Sequence, residues 1–206
     1  MPYSQQNFAY RLRLSDRLAI RHFRKGLPRQ QGKRFGQSFA AIMQAEKPFC
    51  DHPTTQSLTI FAASALASYR VLLAEGTDVQ TAKELIGKSI KSIGRRTSRV
   101  MMWLMTNTSR DMFESVRRYS RDTTPRFYGL SFDIGFEDGD ADSFTSVVST
   151  CGFKTILDRH GAPELLESFC EWDRNWIEAL PPGIRFNRPK TIAKGAGACR
   201  FEFERG

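Results

Sequence analysis

The chain has 206 residues, 40% hydrophobic and 12% aromatic, with 16 Phe, and a chain of this length buries roughly 70% of its unfolded surface without disulfide or metal staples. That composition excludes a disordered, fibrous or repeat protein; one domain over 1–206 is expected, mainly helical over 1–120 and α+β over 121–206. The net charge of +9 is lopsided, with 17 Lys and Arg against 6 Asp and Glu in residues 1–100 and 14 against 16 in the remainder. Such a balance suits nucleic acid, an anionic substrate or an acidic partner, and equally an ordinary solvated basic surface.

In chain order, "SDRLAIRHFRKGL" (15–27) and "RFGQSFAAIMQAEK" (34–47) read as short amphipathic helices separated from the next by the Pro-rich loop "KPFCDHPTT" (47–55). Residues 57–75 form the strongest helix, Ala-rich and apolar on most faces, hence central. Gly76 is placed to stop it, and "TDVQ" (77–80) supplies a capping box for a helix running to about Ile93. Helices over 98–106 and 109–120 follow. The period then changes: "FYGLSFDIGF" (127–136) alternates, with Tyr128, Leu130, Phe132, Ile134 and Phe136 on one face, as in a half-buried strand. "EDGDAD" (137–142) reads as a turn and 143–149 as the returning strand. A helix at 152–160, another at 163–180 ended by "PPG", a strand "IRFNR" (184–188) and a hairpin "KTIAK-GAGA-CRFEFE" complete the chain. The fold class is α+β: a helical N-terminal half packed with a small antiparallel sheet and helices.

The thiols at 50, 151, 170 and 199 form no C-x-x-C pair, and "MPYSQQNFAY" has neither the charged nor the apolar region of a secretory signal, so reduced cysteines in a cytoplasm are expected. Neither 57–74, which carries Ser, Tyr and Arg, nor the short run 100–105 is expected to span a bilayer, so no membrane partner is expected. Nucleic-acid binding is not expected either: the helix pair before "GRRTSR" (94–99) is too apolar for a helix-turn-helix, and no aromatic platform is visible.

One charge is out of place. In "LLESFCEWDRNWIEAL" (165–180), Leu166, Phe169, Cys170, Ile177 and Leu180 recur on one helical face, and Asp173 falls inside it. A carboxylate there must be hydrogen-bonded, bound to a cation, protonated or working. An Arg such as Arg185 or Arg188 would satisfy it structurally. Alternatively, Cys170 at i−3 makes it half of a nucleophile and base pair, or half of a metal site. Cys151 ends one element and Cys199 shares the inward face of its strand with Phe201 and Phe203; three Cys and one Asp would make a tetrahedral zinc set, or each Cys is a small buried hydrophobe. His160 sits at a helix end within range of the Cys151 region or simply capping that helix. "DGDAD" lacks the Gly and Glu of a calcium loop, and "GAGA" the strand–loop–helix context of a phosphate loop.

Several segments resemble the L-2-amino-thiazoline-4-carboxylic acid hydrolase-like family over about 57–206: "LASYRVLLAEGTDVQTAKELI" (66–86), "CGFKTILDRHGAPELLESFCEWD" (151–173) and "IRFNRPKTIAKGAGACRFEF" (184–203). Ile192 stands for the family's usual Leu, and Arg200 for the acidic residue that commonly follows its last Cys. The ending is also similar to the vinyl reductase-type small-molecule-binding domain, whose cysteines serve zinc or ligand contact. The first resemblance implies a small-molecule enzyme, hydrolase-like, that opens or modifies a C–N/C–S heterocycle or a related amino-acid-derived substrate, often in biosynthesis. It implies catalytic roles for Cys170, Asp173, Cys151 and Cys199, with Asp173 as base and Cys170 as nucleophile or proton donor. Arg188, Arg185 and His160 would bind substrate. A divalent metal, Zn or Mn, is an optional cofactor. The second resemblance implies a non-catalytic sensor. A small-molecule substrate is the expected partner under the first, and a homo-oligomer is left open.

Overall fold

The computed structural model describes residues 12–206, so the reading of "MPYSQQNFAY" lies outside the described residues. The architecture is α+β, with helices through the first part and a four-stranded antiparallel sheet in the second.

Helix α3 (Pro53–Ala74) organises the first part. Its N-terminus is set by Pro53 in the first turn and by His52, whose Nδ1 accepts from the Thr54 amide at 3.2 Å. Its C-terminus closes as a Schellman turn: Gly76, at φ +86°, donates to the Leu73 carbonyl and Thr77 to the Leu72 carbonyl, both at 3.0 Å. Length and composition would let α3 cross a membrane, with mean hydropathy 1.5, but 72% of that apolar window is buried inside the protein. Around it lie α1 (Leu14–Lys25), α2 (Gly32–Glu46) and α4 (Val79–Ser92). The cap of α4 is Asp78 rather than Thr77: Asp78 Oδ1 accepts from the Thr81 amide at 2.9 Å, so the carboxylate does the work of the expected capping box. Helices α5 (Arg95–Thr108), α6 (Met112–Asp122) and the short α7 (Thr124–Tyr128) lead toward the sheet.

The sheet comprises β1 (Asp133–Asp138), β2 (Ser143–Thr150), β3 (Ile184–Lys190) and β4 (Cys199–Arg205) in the order β1-β2-β4-β3. Between β1 and β2 the Asp140 carboxylate accepts from the Asp142 amide and the Ser143 hydroxyl, a local turn. The inward face of the sheet is aromatic: Phe144 stacks on its cross-strand partner Phe203 at 4.5 Å, and Phe113 and Val116 of α6 cover them. This is a second core, separate from the one around α3.

Three expected elements differ. The strand at 127–136 begins only at Asp133, because Pro125 starts α7 and Gly129, at φ +61°, ends it. Tyr128 and Phe132 then meet at i, i+4, with ring centroids 4.6 Å apart, while Leu130 is 80% exposed. The helix expected at 163–180 is broken into α9 (Leu166–Phe169), a 3-10 turn at Cys170–Trp172 and α10 (Arg174–Ile177). Contacts with α4 shape it: Ser168 Oγ donates to the Lys83 carbonyl and Asn175 Nδ2 to the Ile93 carbonyl, which α4 leaves free at its end. Finally, "KTIAK" is no strand; β4 pairs with β3, and 192–194 form a 3-10 turn in the loop between them. The helix expected at 152–160 is α8 (Gly152–Arg159).

Candidate functional site

Asp173 sits where the two cores meet. Trp172 packs into the first, 4.3 Å from Phe61, and Trp176 into the second, 5.5 Å from Phe186. The 3-10 turn before Asp173 brings i and i+3 onto one line, so Cys170 and Asp173 point the same way. Strand parity settles which arginine joins them. Ile184, Phe186 and Arg188 alternate inward on β3, and Arg185 alternates outward. Arg188 Nη1 accordingly donates to Asp173 Oδ2 at 2.8 Å, and its guanidinium lies 5.6 Å from the Phe201 ring. A register slip in β3 between Asn187 and Lys190, beside Arg188, locally bends the strand at this point.

Two further thiols face the pair. Cys151 is the N-cap of α8, with the Phe153 and Lys154 amides lying toward its sulfur without closing a cap hydrogen bond. Cys199 opens β4, and its Sγ accepts from the Ile192 amide at 3.2 Å, pinning the loop. Tyr128, which sequence reasoning placed on a strand face, completes the group; its charge state responds to Asp173, Cys151 and Cys170. The only sequence signal for it was Gly129, one residue on.

Burial governs the electrostatics. The Asp173 side chain keeps 20% of its surface exposed, and desolvation pushes its carboxyl up to about 6, against the downward pull of Arg188 and of the nearby Trp176 indole. Burial raises the Cys170 thiol to about 12, with the Asp173 charge adding to it, and the Cys151 thiol to about 11. Cys199 is raised for the same reason, and Tyr128 well above its ordinary value. At neutral pH the arrangement is one ion pair ringed by protonated thiols and a phenol. Asp173 can take a proton, Arg188 can hold an anion, and the thiols and phenol can donate hydrogen bonds.

Two expected members lie elsewhere. Arg185 pairs with Glu204 at 3.4 Å on the outer face, its side chain 70% exposed. His160 caps the far end of α8 from Cys151; its Nε2 meets Glu46 Oε1 at 3.0 Å, and Glu46, almost fully buried, also binds Arg159. The "YR" of 69–70 serves the scaffold of the site: Tyr69 donates to Glu164 Oε1 at 2.8 Å and Arg70 to the His160 carbonyl at 2.9 Å, holding the "GAPEL" bend that leads into Cys170. Arg200 reaches across β2 to make a two-pronged pair with Glu137, away from the cluster. As to a metal, among the described residues no three His, Cys, Asp or Glu side chains converge closely enough to hold one. No disulfide joins any cysteines among them.

No curated protein matches the chain. A family model described as L-2-amino-thiazoline-4-carboxylic acid hydrolase matches residues 58–203, which hold every member of the cluster. With the match spanning well over half of the chain, this protein belongs to the L-2-amino-thiazoline-4-carboxylic acid hydrolase family.

Proposed function

We propose that the chain is a hydrolase of small amino-acid-derived heterocycles, opening a C–N/C–S ring of the aminothiazoline-carboxylate kind, and that Asp173 is its base. The observation that carries this reading is the mostly buried yet water-reachable Asp173 carboxylate, 2.8 Å from Arg188, which burial raises to about 6. Such a group is ionised at pH 7 yet close enough to it to accept a proton efficiently.

In this reading Arg188 meets the substrate carboxylate while remaining near Asp173, a task suited to its forked donors. Asp173 draws a proton from water as the oxygen bonds to the ring carbon between nitrogen and sulfur. The carbon–nitrogen π pair moves onto nitrogen as that bond forms and returns as the carbon–sulfur bond breaks, the latter's electron pair staying on sulfur. The sulfur takes the proton that Asp173 holds while the Cys170 thiol hydrogen-bonds to it, and the isourea left behind tautomerises to the carbamoyl product. Asp173, at about 6, is the stronger acid and carries the proton from water to sulfur, while the Cys170 thiol, raised chiefly by burial, keeps its own. Cys151, Cys199 and Tyr128 line the site as neutral hydrogen-bonding walls. The reduced thiols suit a cytoplasmic, biosynthetic setting. No step is routed through a metal, since the described side chains do not converge on one.

The test is incubation of the purified chain with L-2-amino-thiazoline-4-carboxylate while a thiol reagent follows release of the product sulfhydryl. Turnover is expected, falling about 10²- to 10⁴-fold in Asp173→Asn with the circular dichroism spectrum retained. Equal turnover in the folded variant would remove Asp173 from the chemistry. A second reading, a binding-only sensor, is favoured by the protonation of all three thiols. It predicts ligand-dependent thermal stabilisation without any sulfhydryl release.

A further inference from the structure

Helix α5 turns apolar side chains outward. Its inner side, with Met102 buried and Met105 against the sheet core, packs toward α6 and α10. On the opposite side Arg96, Arg99, Val100, Trp103 and Leu104 fall at i, i+3, i+4, i+7 and i+8, a single stripe. Val100, Trp103 and Leu104 are 57%, 61% and 48% exposed, where a surface helix ordinarily carries polar residues. The helix has no Asp or Glu. Arg96 and Arg99 enter no ion pair among the described residues, while three acidic side chains on or beside the adjoining elements pair elsewhere: Glu178 with Lys91, Glu114 with Arg117 and Asp111 with Arg205. Beside the stripe opens an apolar groove of about 450 Å³ lined by Met102, Met112, Leu180 and Pro181, with Arg99 at its rim.

We propose that this face of α5 docks the protein peripherally on an anionic lipid surface. Trp103, Leu104 and Val100 enter the boundary between headgroups and acyl chains, and Arg96 and Arg99 meet the negative headgroups. Charge complementarity selects this occupant over a second copy of the chain. Two α5 faces would oppose their arginines. Of the acidic hairpin turn that could answer them, Glu137 pairs with Arg200, Asp138 with Arg121 and Asp142 with Arg205, and Asp140 closes its own turn on the Asp142 amide and the Ser143 hydroxyl. Docking of this kind needs one helix face and no spanning segment. It amends the expectation of no membrane partner, which rested on spanning segments alone.

The experiment is co-sedimentation of the full chain with phosphatidylcholine vesicles, with and without about 30% phosphatidylserine to supply the negative surface. Binding to the anionic vesicles only is expected, weakening as salt is raised. Arg96→Gln/Arg99→Gln should bind about 25-fold more weakly, roughly fivefold per arginine, and Trp103→Ser/Leu104→Ser should lose binding by a comparable factor. The thermal transition and circular dichroism spectrum of each variant establish that it is folded before its binding is compared. No vesicle binding, equal binding to neutral vesicles, or anionic binding that neither variant weakens would overturn the proposal. A dimer in sedimentation velocity that Trp103→Ser/Leu104→Ser dissolves would overturn it too, assigning the stripe to contacts between copies.

Discussion

The α3 core and the seam that holds Asp173 are built on opposite principles. In α3, 15 of 22 residues are buried, and a polar side chain such as Ser64 is satisfied one turn away, by the Ile60 carbonyl at 2.7 Å. Apolar on nearly every face, this helix owes its place mainly to burial, which is non-directional and tolerant, with Tyr69 and Arg70 near its end adding bonds to Glu164 and the His160 carbonyl. The seam is made of four-residue helices and 3-10 turns, too short to hold themselves. Its polar groups bond to distant chain: Ser168 to Lys83, Asn175 to Ile93, Asp173 to Arg188. Stability resides in the first region, and in the second the chain accepts buried polar and charged groups whose geometry neighbouring elements must supply.

The contrast can be broken at either end. Leu66, fully buried in the α3 core, should cost about 2–5 kcal/mol on substitution by Ala through the cavity left behind. That cost is read from the urea midpoint, while the thiols of the seam keep their reactivity. A matching loss of thiol protection would mean that the two regions unfold as one. The raised thiols sharpen the seam itself. Cys170 and Cys151 should react with iodoacetamide at pH 8 about a hundredfold or more slowly than an ordinary thiol. Asp173→Asn should speed Cys170 by removing the charge that helps hold its proton; rapid labelling of Cys170 in the wild type would contradict its burial.

Asp173 also leaves a signature in stability against pH. Its folded carboxyl titrates near 6, above the 3.8 of the free group, so between those values the folded state binds more protons than the unfolded one. Stability relative to Asp173→Asn should therefore fall as pH rises from about 4 to 6, by roughly 2–3 kcal/mol at 1.36 kcal/mol per pH unit. Denaturant titrations of both proteins across that range measure it, and a rising difference would reverse the assignment of desolvation as the larger effect. The smallest change is expected at Arg185. Its exposed pair with Glu204 contributes at most about 1 kcal/mol, so Arg185→Ala should leave the folding midpoint nearly unmoved and leave turnover intact. A substantial loss of turnover would draw the outer face of the sheet into the site.

Much of this was legible in the residues. The apolar faces of α3, the glycine that ends it and the alternation of Cys199, Phe201 and Phe203 are local patterns, and local patterns report burial because neighbours along the chain share one environment. The misplaced charge at Asp173 was equally visible, since a carboxylate among Leu166, Phe169 and Ile177 violates that pattern. Alternation misled at 127–132, where Tyr128 and Phe132 obey a spacing of four imposed by Gly129. Arg188 over Arg185 was within reach: Phe186 is the larger apolar residue of "IRFNR", and parity from it selects Arg188.

By itself, then, the sequence determined the α+β class, the central helix, the inward face of β4, the pairing of Cys170 with Asp173 and the family. Only the tertiary structure decided that 163–180 breaks at Cys170, that Tyr128 closes on the cluster, and that His160 belongs to Glu46 instead. The physical reason is one of range. Periodicity encodes which face is buried, a property of a segment, whereas a four-residue helix takes its geometry from carbonyls and guanidinium groups contributed by chain 15 to 85 residues away.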